Sequence, residues 1–298
     1  MKQFITRLIS ISIIFALITV SILGFIYLIS QLSLTLPPNK HILIIGDSQT
    51  ETAIDDNIFS SSFNASQAGT AYIYSYSKLN KLLEKPRQID TVLLSFSYRS
   101  LTKEIDDRWI FNSNKISIHS VILDKNEISF FMKNHKELFL TSILQLPKFK
   151  LTSIIKILFH RNKSFSNLEI GSYQRLVRDK LYEDLKRRNL SNSSTGEIST
   201  ETEWSNNQLE YILKIVYLCK EKNVKLILIS TPIYHAEKYG HLNELYSYYN
   251  TYLQGVLYAD YSKYNLPDSC YGDIIHLNYK GAKIFSILLH NKFDSVSK

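Results

Sequence analysis

The sequence predicts an α/β fold, a mostly parallel sheet with helices on both faces. Three observations carry that prediction. Short apolar runs rich in β-branched residues recur along the chain, bounded by Pro, Gly or polar turn residues. Segments with helical spacing fall between them, and strands alternating with helices build a sheet covered on both sides. The 298 residues also begin with one long apolar stretch unlike anything after it.

That stretch comes first in order. No charged residue stands between Arg7 and Lys40, and Leu8 to Leu32 is almost continuously apolar. About 20 apolar residues suffice for a helix to cross a bilayer. A secretory signal peptide has a shorter apolar region, ~7–15 residues, and ends in a small-residue cleavage site. Leu32-Ser33-Leu34-Thr35-Leu36-Pro37 is a poor one. The expectation is an uncleaved, single-pass anchor. Lys2 and Arg7 precede the span and favour a cytoplasmic N-terminus, which puts the rest outside the cell membrane. Residues 1–36 are then a cytoplasmic tip and transmembrane anchor, and residues 37–298 an extracytoplasmic domain joined to the lipid bilayer through that helix. Pro37-Pro38-Asn39 forms a short stiff spacer.

The core elements follow. His41 to Ile45 is a buried strand between Pro38 and Gly46, and Thr70 to Leu83 has helical spacing at Tyr72, Tyr76, Leu79, Leu82 and Leu83. Thr91 to Phe96 is a second strand. Gln208 to Lys222 is an amphipathic helix, and Val224 to Ser230 a third strand stopped by Pro232. Glu244 to Leu253 is helical, Val256 to Asp260 a short strand, and Lys280 to Phe293 the closing helix.

The interval from about 101 to 207 breaks this rhythm and is read as a helical insertion. Seven cations (Lys133, Lys136, Lys148, Lys150, Lys156, Arg161, Lys163) stand against Glu137 alone between Met132 and Ser166, interleaved with apolar residues, in a chain of net charge +8. Such a stretch suits a surface facing anionic lipid or polymer, and equally a helix with an ordinary solvated basic face. Leu190 to Glu197 is polar and reads as a flexible loop. No nucleic-acid recognition motif is present, so no nucleic acid is expected as partner. Cys219 lies in an apolar helical pattern and reads as a buried thiol; it and Cys270 lack a framework spacing. Neither a thiolate metal site nor any other cofactor is expected, because no cluster of ligands has suitable spacing.

Two motifs carry chemistry. Ile44-Ile45-Gly46-Asp47-Ser48 puts a serine directly after the first strand of the domain, at the edge where open α/β sheets place their chemistry. Asp273-Ile274-Ile275-His276-Leu277-Asn278 precedes the last helix. A serine hydroxyl needs a base, and the base needs a group that holds its tautomer. Ser48, His276 and Asp273 supply those three types. Both motifs also have plain structural uses: Ser48 as a helix N-cap before Thr50 and Glu51, Asp47 as a cap or brace of the turn, His276 as a loop histidine beside a solvated Asp273, and Asn278 as the N-cap of the last helix.

These residues resemble the SGNH (GDSL-type) hydrolase superfamily: Gly46-Asp47-Ser48 after the first strand, Gly69 after a short connection, and Asp273-x-x-His276 before the last helix. The resemblance covers about residues 40–100 and 208–293. It implies a flavodoxin-like three-layer α/β/α sandwich, with Ser48 as nucleophile, His276 as base and Asp273 as its orienter. The backbone N–H groups of Ser48 and Gly69 would form part of an oxyanion hole. The family's Gly-x-Asn-Asp after the second core strand is absent; Ser95-Phe96-Ser97-Tyr98-Arg99 stands there, leaving Ser97, Tyr98 or Arg99 as replacement donors. One anchor plus an extracytoplasmic domain of this type is similar to bacterial proteins of teichoic-acid D-alanylation and polysaccharide O-acetylation. That similarity implies a serine esterase or O-acyltransferase acting on a cell-envelope polysaccharide or glycopolymer, with a membrane acyltransferase as a partner. A catalytically idle assembly or polymer-binding protein of the same fold is the alternative.

Overall fold

The computed structural model describes residues 1–84, 88–159, 170–192 and 203–294. In chain order its helices and strands are α1 (Lys2–Ser33), β1 (Ile42–Ile45), α2 (Ser48–Ala53), β2 (Ser62–Asn64), α3 (Tyr72–Leu83), β3 (Thr91–Ser95), α4 (Ser113–His119), α5 (Lys125–Asn134) and α6 (Lys136–Phe159). There follow α7 (Leu181–Asn192), α8 (Asn206–Glu221), β4 (Lys225–Ser230), α9 (Ala236–Tyr239), α10 (Leu242–Tyr252), β5 (Leu257–Asp260) and α11 (Tyr279–Asp294). Contacts group the chain into two compact units, residues 1–35 with 113–169, and residues 36–112 with 170–298.

The larger unit is built on a five-stranded parallel sheet in the order β2-β1-β3-β4-β5. This is a doubly wound order: the chain leaves β1 to one side for β2 and to the other for β3. Strand burial explains the uninterrupted apolar runs. Ile42, Ile44, Leu93, Ile227 and Ile229 join one apolar cluster with Ala53 of α2 and Phe285 and Leu289 of α11. Their neighbours Leu43, Ile45, Val92, Leu94 and Leu228 point to the opposite face by the two-residue period and are equally buried. The helices α3 and α8 pack on each other, and α8 packs on β4. Neither joins the first cluster. Helices therefore lie on both faces of the sheet, which makes the fold mixed α/β as the sequence predicts.

Strand β2 was not foreseen. It has three residues, Ser62-Phe63-Asn64, too few and too polar to show a period, and it is held in register only by pairing with β1. Residues 170–180 form no helix or strand, yet they belong to the sheet unit through hydrogen bonds along their length. Gln174 N–H donates to Glu51 O at 3.0 Å, and Lys180 N–H to Gly272 O at 2.9 Å. Tyr279 N–H donates to Leu176 O at 2.8 Å. Leu190, Ser191 and Asn192, expected in a loop, close α7; residues 193–197 of that expected loop lie outside the described residues.

The smaller unit contains α1, whose Gln3–Leu32 stretch has a mean hydropathy of 2.6 and is long and apolar enough to cross a membrane. Its C-terminal end is packed within the unit: Ile26, Ser30 and the capping Leu34 are buried, and the Gln31 amide donates to Val121 O at 2.8 Å. Helix α6 packs against α1, α4 and α5, with Phe131 and Phe139 stacked at 5.8 Å. Of the basic stretch, Arg161 and Lys163 lie outside the described residues.

Candidate active site

The carboxyl ends of the strands bring the sequence motifs together. Strand β1 ends at Ile45, and the chain turns at Gly46 because nothing larger fits: a Cβ there would come within 2.1 Å of Ser95 Cβ at the end of β3. Asp47, not Ser48, is the N-cap of α2, its Oδ1 accepting from Gln49 N–H at 3.0 Å. Ser48 is thus the first helical residue, half-buried, with its hydroxyl free to face away from the cap.

The carboxylate of Asp47 is buried beneath this turn. Ser95 Oγ–H donates to Oδ1 at 3.1 Å and Ser100 Oγ–H to Oδ2 at 2.7 Å. Asp47 therefore pins the end of β1 to the end of β3 and to the turn after it. The role of a brace follows from these three donors.

On the other side, the loop between β5 and α11 closes on itself. Gly272 N–H donates to His276 O at 2.8 Å, and Asp273 Oδ1 accepts from the N–H groups of Ile275 and His276, each at 3.0 Å. Both Asp273 oxygens lie 2.9 Å from His276 Nδ1. A carboxylate only accepts, so Nδ1 carries the proton and the neutral ring leaves Nε2 as an acceptor. His276 Nε2 lies 2.8 Å from Ser48 Oγ, and the serine hydroxyl donates to it. Ser48, His276 and Asp273 form one continuous chain of hydrogen bonds across 228 residues of sequence.

Asp273 is 5% exposed. Burial pushes its carboxyl upward, but the His276 hydrogen bond, the Ile275 N–H and the Arg178 guanidinium outweigh burial and hold it below the ordinary carboxylate value. Arg178 is the residue that sequence reasoning missed. Its Nη2 donates to Asp273 Oδ2 at 3.0 Å from the irregular segment 170–180, and no motif marks it.

Among the described residues the N–H groups of Ser48 and Gly69 have no acceptor. Gly69 lies in the left-handed region, φ 63°, in the turn before α3. The connection leading to it is fixed: Gln67 N–H donates to Gly46 O at 3.0 Å, and the Thr50 hydroxyl donates to Ser66 Oγ at 2.8 Å. Lys78, wholly buried, donates from Nζ to Ala65 O at 2.8 Å, Gln67 Oε1 at 2.7 Å and Ile170 O at 2.6 Å.

Ser97 is placed differently. Its Oγ is 2.8 Å from Ser100 Oγ, and Ser100 donates its one proton to Asp47. The proton between the two hydroxyls is then that of Ser97, which has none left for a developing oxyanion in this arrangement. Tyr98 stacks on His241 with ring centroids 4.3 Å apart. The thiols do not compete as nucleophiles: both cysteines are free and buried, and burial pushes Cys219 up to about 12 and raises Cys270. Among the described residues no three His, Cys, Asp or Glu side chains are grouped to hold a metal ion.

A family model that bears no functional description matches residues 156–298. No curated protein matches the sequence. Among solved structures, the crystal structure of a candidate acylhydrolase from Bacteroides fragilis aligns with 12% identity, covering 90% of this chain and 95% of that chain, at a TM-score of 0.41. A likeness that distant carries no weight for the chemistry, which rests on the geometry above.

Proposed function

We propose that this protein is a serine-dependent acyl-ester hydrolase or O-acyltransferase of the SGNH type, acting on a cell-envelope glycopolymer. The observation that carries the reading is the hydrogen-bonded chain Ser48–His276–Asp273 at the carboxyl edge of a parallel sheet. In the reaction, His276 Nε2 takes the Ser48 proton as Oγ bonds to the ester carbonyl carbon. The negative charge on the carbonyl oxygen is met by the unpaired N–H groups of Ser48 and Gly69. Collapse breaks the bond to the alcohol oxygen, which leaves with the proton from His276. A water or a sugar hydroxyl, deprotonated by His276, then attacks the acyl-enzyme and returns Ser48 to its starting state. Asp273 holds the tautomer and stabilises the transient imidazolium.

The envelope setting is supported by α1, long and apolar enough to span a bilayer, with Lys2 and Arg7 at its start. On this reading residues 1–36 are the anchor, residues 37–298 lie outside the cell membrane, and a membrane acyltransferase supplies the acyl group, as in the D-alanylation and O-acetylation systems that this architecture resembles.

One observation favours a second reading, a catalytically idle membrane-anchored binding protein. No asparagine directly follows β3, and the Ser97 proton is already engaged, so this side chain adds nothing to the N–H groups of Ser48 and Gly69. Labelling of the detergent-solubilised full chain with a fluorophosphonate probe, beside hydrolysis of p-nitrophenyl acetate, decides between them. The enzyme reading expects labelling and turnover that Ser48→Ala abolishes. A folded wild type that neither labels nor turns over, or activity retained by Ser48→Ala, sinks it.

A further inference from the structure

The sheet's carboxyl edge holds a second feature that the proposed reaction does not use. Strands β4 and β5 end beside one another, and the segments that follow them, 233–239 with α9 and 263–271, line an open cavity of about 820 Å³. Doubly wound sheets bind ligands beyond the carboxyl ends of their strands, the same edge on which Ser48 follows β1. A direct tie joins the cavity wall to the candidate site: Tyr234 N–H donates to Ile274 O at 2.9 Å, and Ile274 lies between Asp273 and His276.

The lining has a definite chemistry. Tyr234, Tyr239 and Tyr264 border it with partly exposed rings, Tyr239 carrying Lys238 Nζ 5.1 Å from its centre, and such rings offer apolar contact area. Between them stand hydrogen-bonding groups of every kind, including Asn265 and the exposed carboxylate of Asp268. The charges balance: Lys238 and Lys263 face Glu237 and Asp268, and Lys263 pairs with Glu237 at 3.1 Å. A polyanion finds no net attraction in such a site, and a bare acyl chain makes no hydrogen bond to the exposed Asn265 and Asp268 side chains, the latter in contact, among the described residues, only with the Tyr234 hydroxyl at 3.5 Å. A neutral sugar ring uses both parts, its C–H faces on the tyrosines and its hydroxyls on Asp268 and Asn265. The volume lies within the range of small-ligand pockets and admits two or more such rings.

We infer that this cavity is a saccharide subsite that takes neutral sugar units of the acceptor or substrate polymer, one loop away from His276. The inference rests on the proposed glycopolymer reading and deepens it by locating where the sugar chain is held. Any acyl group carried on the bound chain is presented to Ser48 from the β4–β5 side of the sheet.

The test is binding of the detergent-solubilised full chain to an array of bacterial oligosaccharides, together with p-nitrophenyl acetate hydrolysis. Tyr264→Ala and Asp268→Asn alter exposed side chains at the cavity and leave small-ester hydrolysis unchanged. Wild type is expected to bind at least one uncharged glycan, and each variant to bind it at least about tenfold more weakly. Glycan binding absent from wild type, confined to charged glycans, or unaltered in both variants overturns the subsite. Loss of small-ester hydrolysis in Ser48→Ala alone speaks for the reaction and not for the cavity, so the two readings fail separately.

Discussion

Arg178 Nη2 donates to Asp273 Oδ2 at 3.0 Å, so the carboxylate that faces His276 is held from behind by a residue 95 positions earlier in the chain. Asp273 is then fully engaged: one oxygen by two backbone N–H groups, the other by the guanidinium, and both by His276 Nδ1. A carboxylate held at both ends cannot rotate away from the ring it orients.

Arg178→Ala releases one of those ends. The Arg178 side chain is 44% exposed, so solvent screens the pair and the expected loss of stability is under about 1 kcal/mol. Arg178 is a positioning residue on this view, and its removal is expected to lower kcat for p-nitrophenyl acetate by roughly 3- to 10-fold with KM little changed. Arg178→Lys keeps the charge and restores part of the loss. Equal kcat in wild type and Arg178→Ala would show that the backbone N–H groups suffice.

The carboxyl of Asp273 also sets a pH dependence of stability. Its value is depressed in the folded protein, so the native state binds its proton less readily than the unfolded chain. The stabilisation is complete above the unfolded carboxylate value of about 3.9 and is lost as pH falls through the lower native value. Urea midpoints of wild type and Asp273→Asn are therefore expected to differ most at pH 5 to 7 and to converge below about pH 4. A difference that grows toward acid pH would reverse the sign of this linkage.

Asp47 offers a stability prediction independent of the reaction. It is buried and accepts from Ser95, Ser100 and Gln49 N–H. Asp47→Ala strands two buried hydroxyls and removes the α2 cap, so a loss of about 2–4 kcal/mol is expected in chemical denaturation. Because the same carboxylate joins the ends of β1 and β3 beneath Ser48, p-nitrophenyl acetate hydrolysis is expected to fall as well. A change within about 0.5 kcal/mol would mean that the hydroxyls find other partners.

What the sequence disclosed and what it withheld divide along physical lines. The strands β1, β3, β4 and β5 and the helices α3, α8, α10 and α11 announce themselves through apolar period and through Gly or Pro at their ends. The neighbourhood of Ser48 and His276 follows from topology, since both motifs sit where a chain crosses the carboxyl edge of a parallel sheet. Strand β2 was hidden because three residues have no period, and only β1 makes them a strand. Residues 170–180 were hidden for a deeper reason. They are ordered by the carbonyls and N–H groups of Glu51, Gly272 and Tyr279, which a one-dimensional pattern does not encode, and Arg178 arrives with them. Ser97 has the residue type of a spare donor, but its proton is committed to Ser100, which donates in turn to Asp47, and the sequence carries no sign of that chain.

Gly171 is where the placement of that segment can be tested directly. It has φ 103°, and a Cβ there would meet Ser66 O at 2.6 Å and Ala65 O at 2.8 Å, both backbone atoms unable to swing aside. Gly255 has a similar φ of 97° with nothing within 4 Å of its would-be Cβ. Alanine at either position carries the same left-handed strain, of order 1–2 kcal/mol. Only at Gly171 does it also push the segment off the 65–67 connection, whose partner Lys78 donates to Ile170 O next door. Gly171→Ala is therefore expected to be the more destabilising of the two, and to lower hydrolysis of p-nitrophenyl acetate while Gly255→Ala leaves it intact. The reason is continuity. The segment that docks beside Ser66 and Gln67, on the way to Gly69, is the one that carries Arg178 to Asp273, so lifting one end loosens both sides of Ser48. Equal behaviour of the two alanine variants would reduce the contact at Gly171 to backbone strain and would detach the segment from the site.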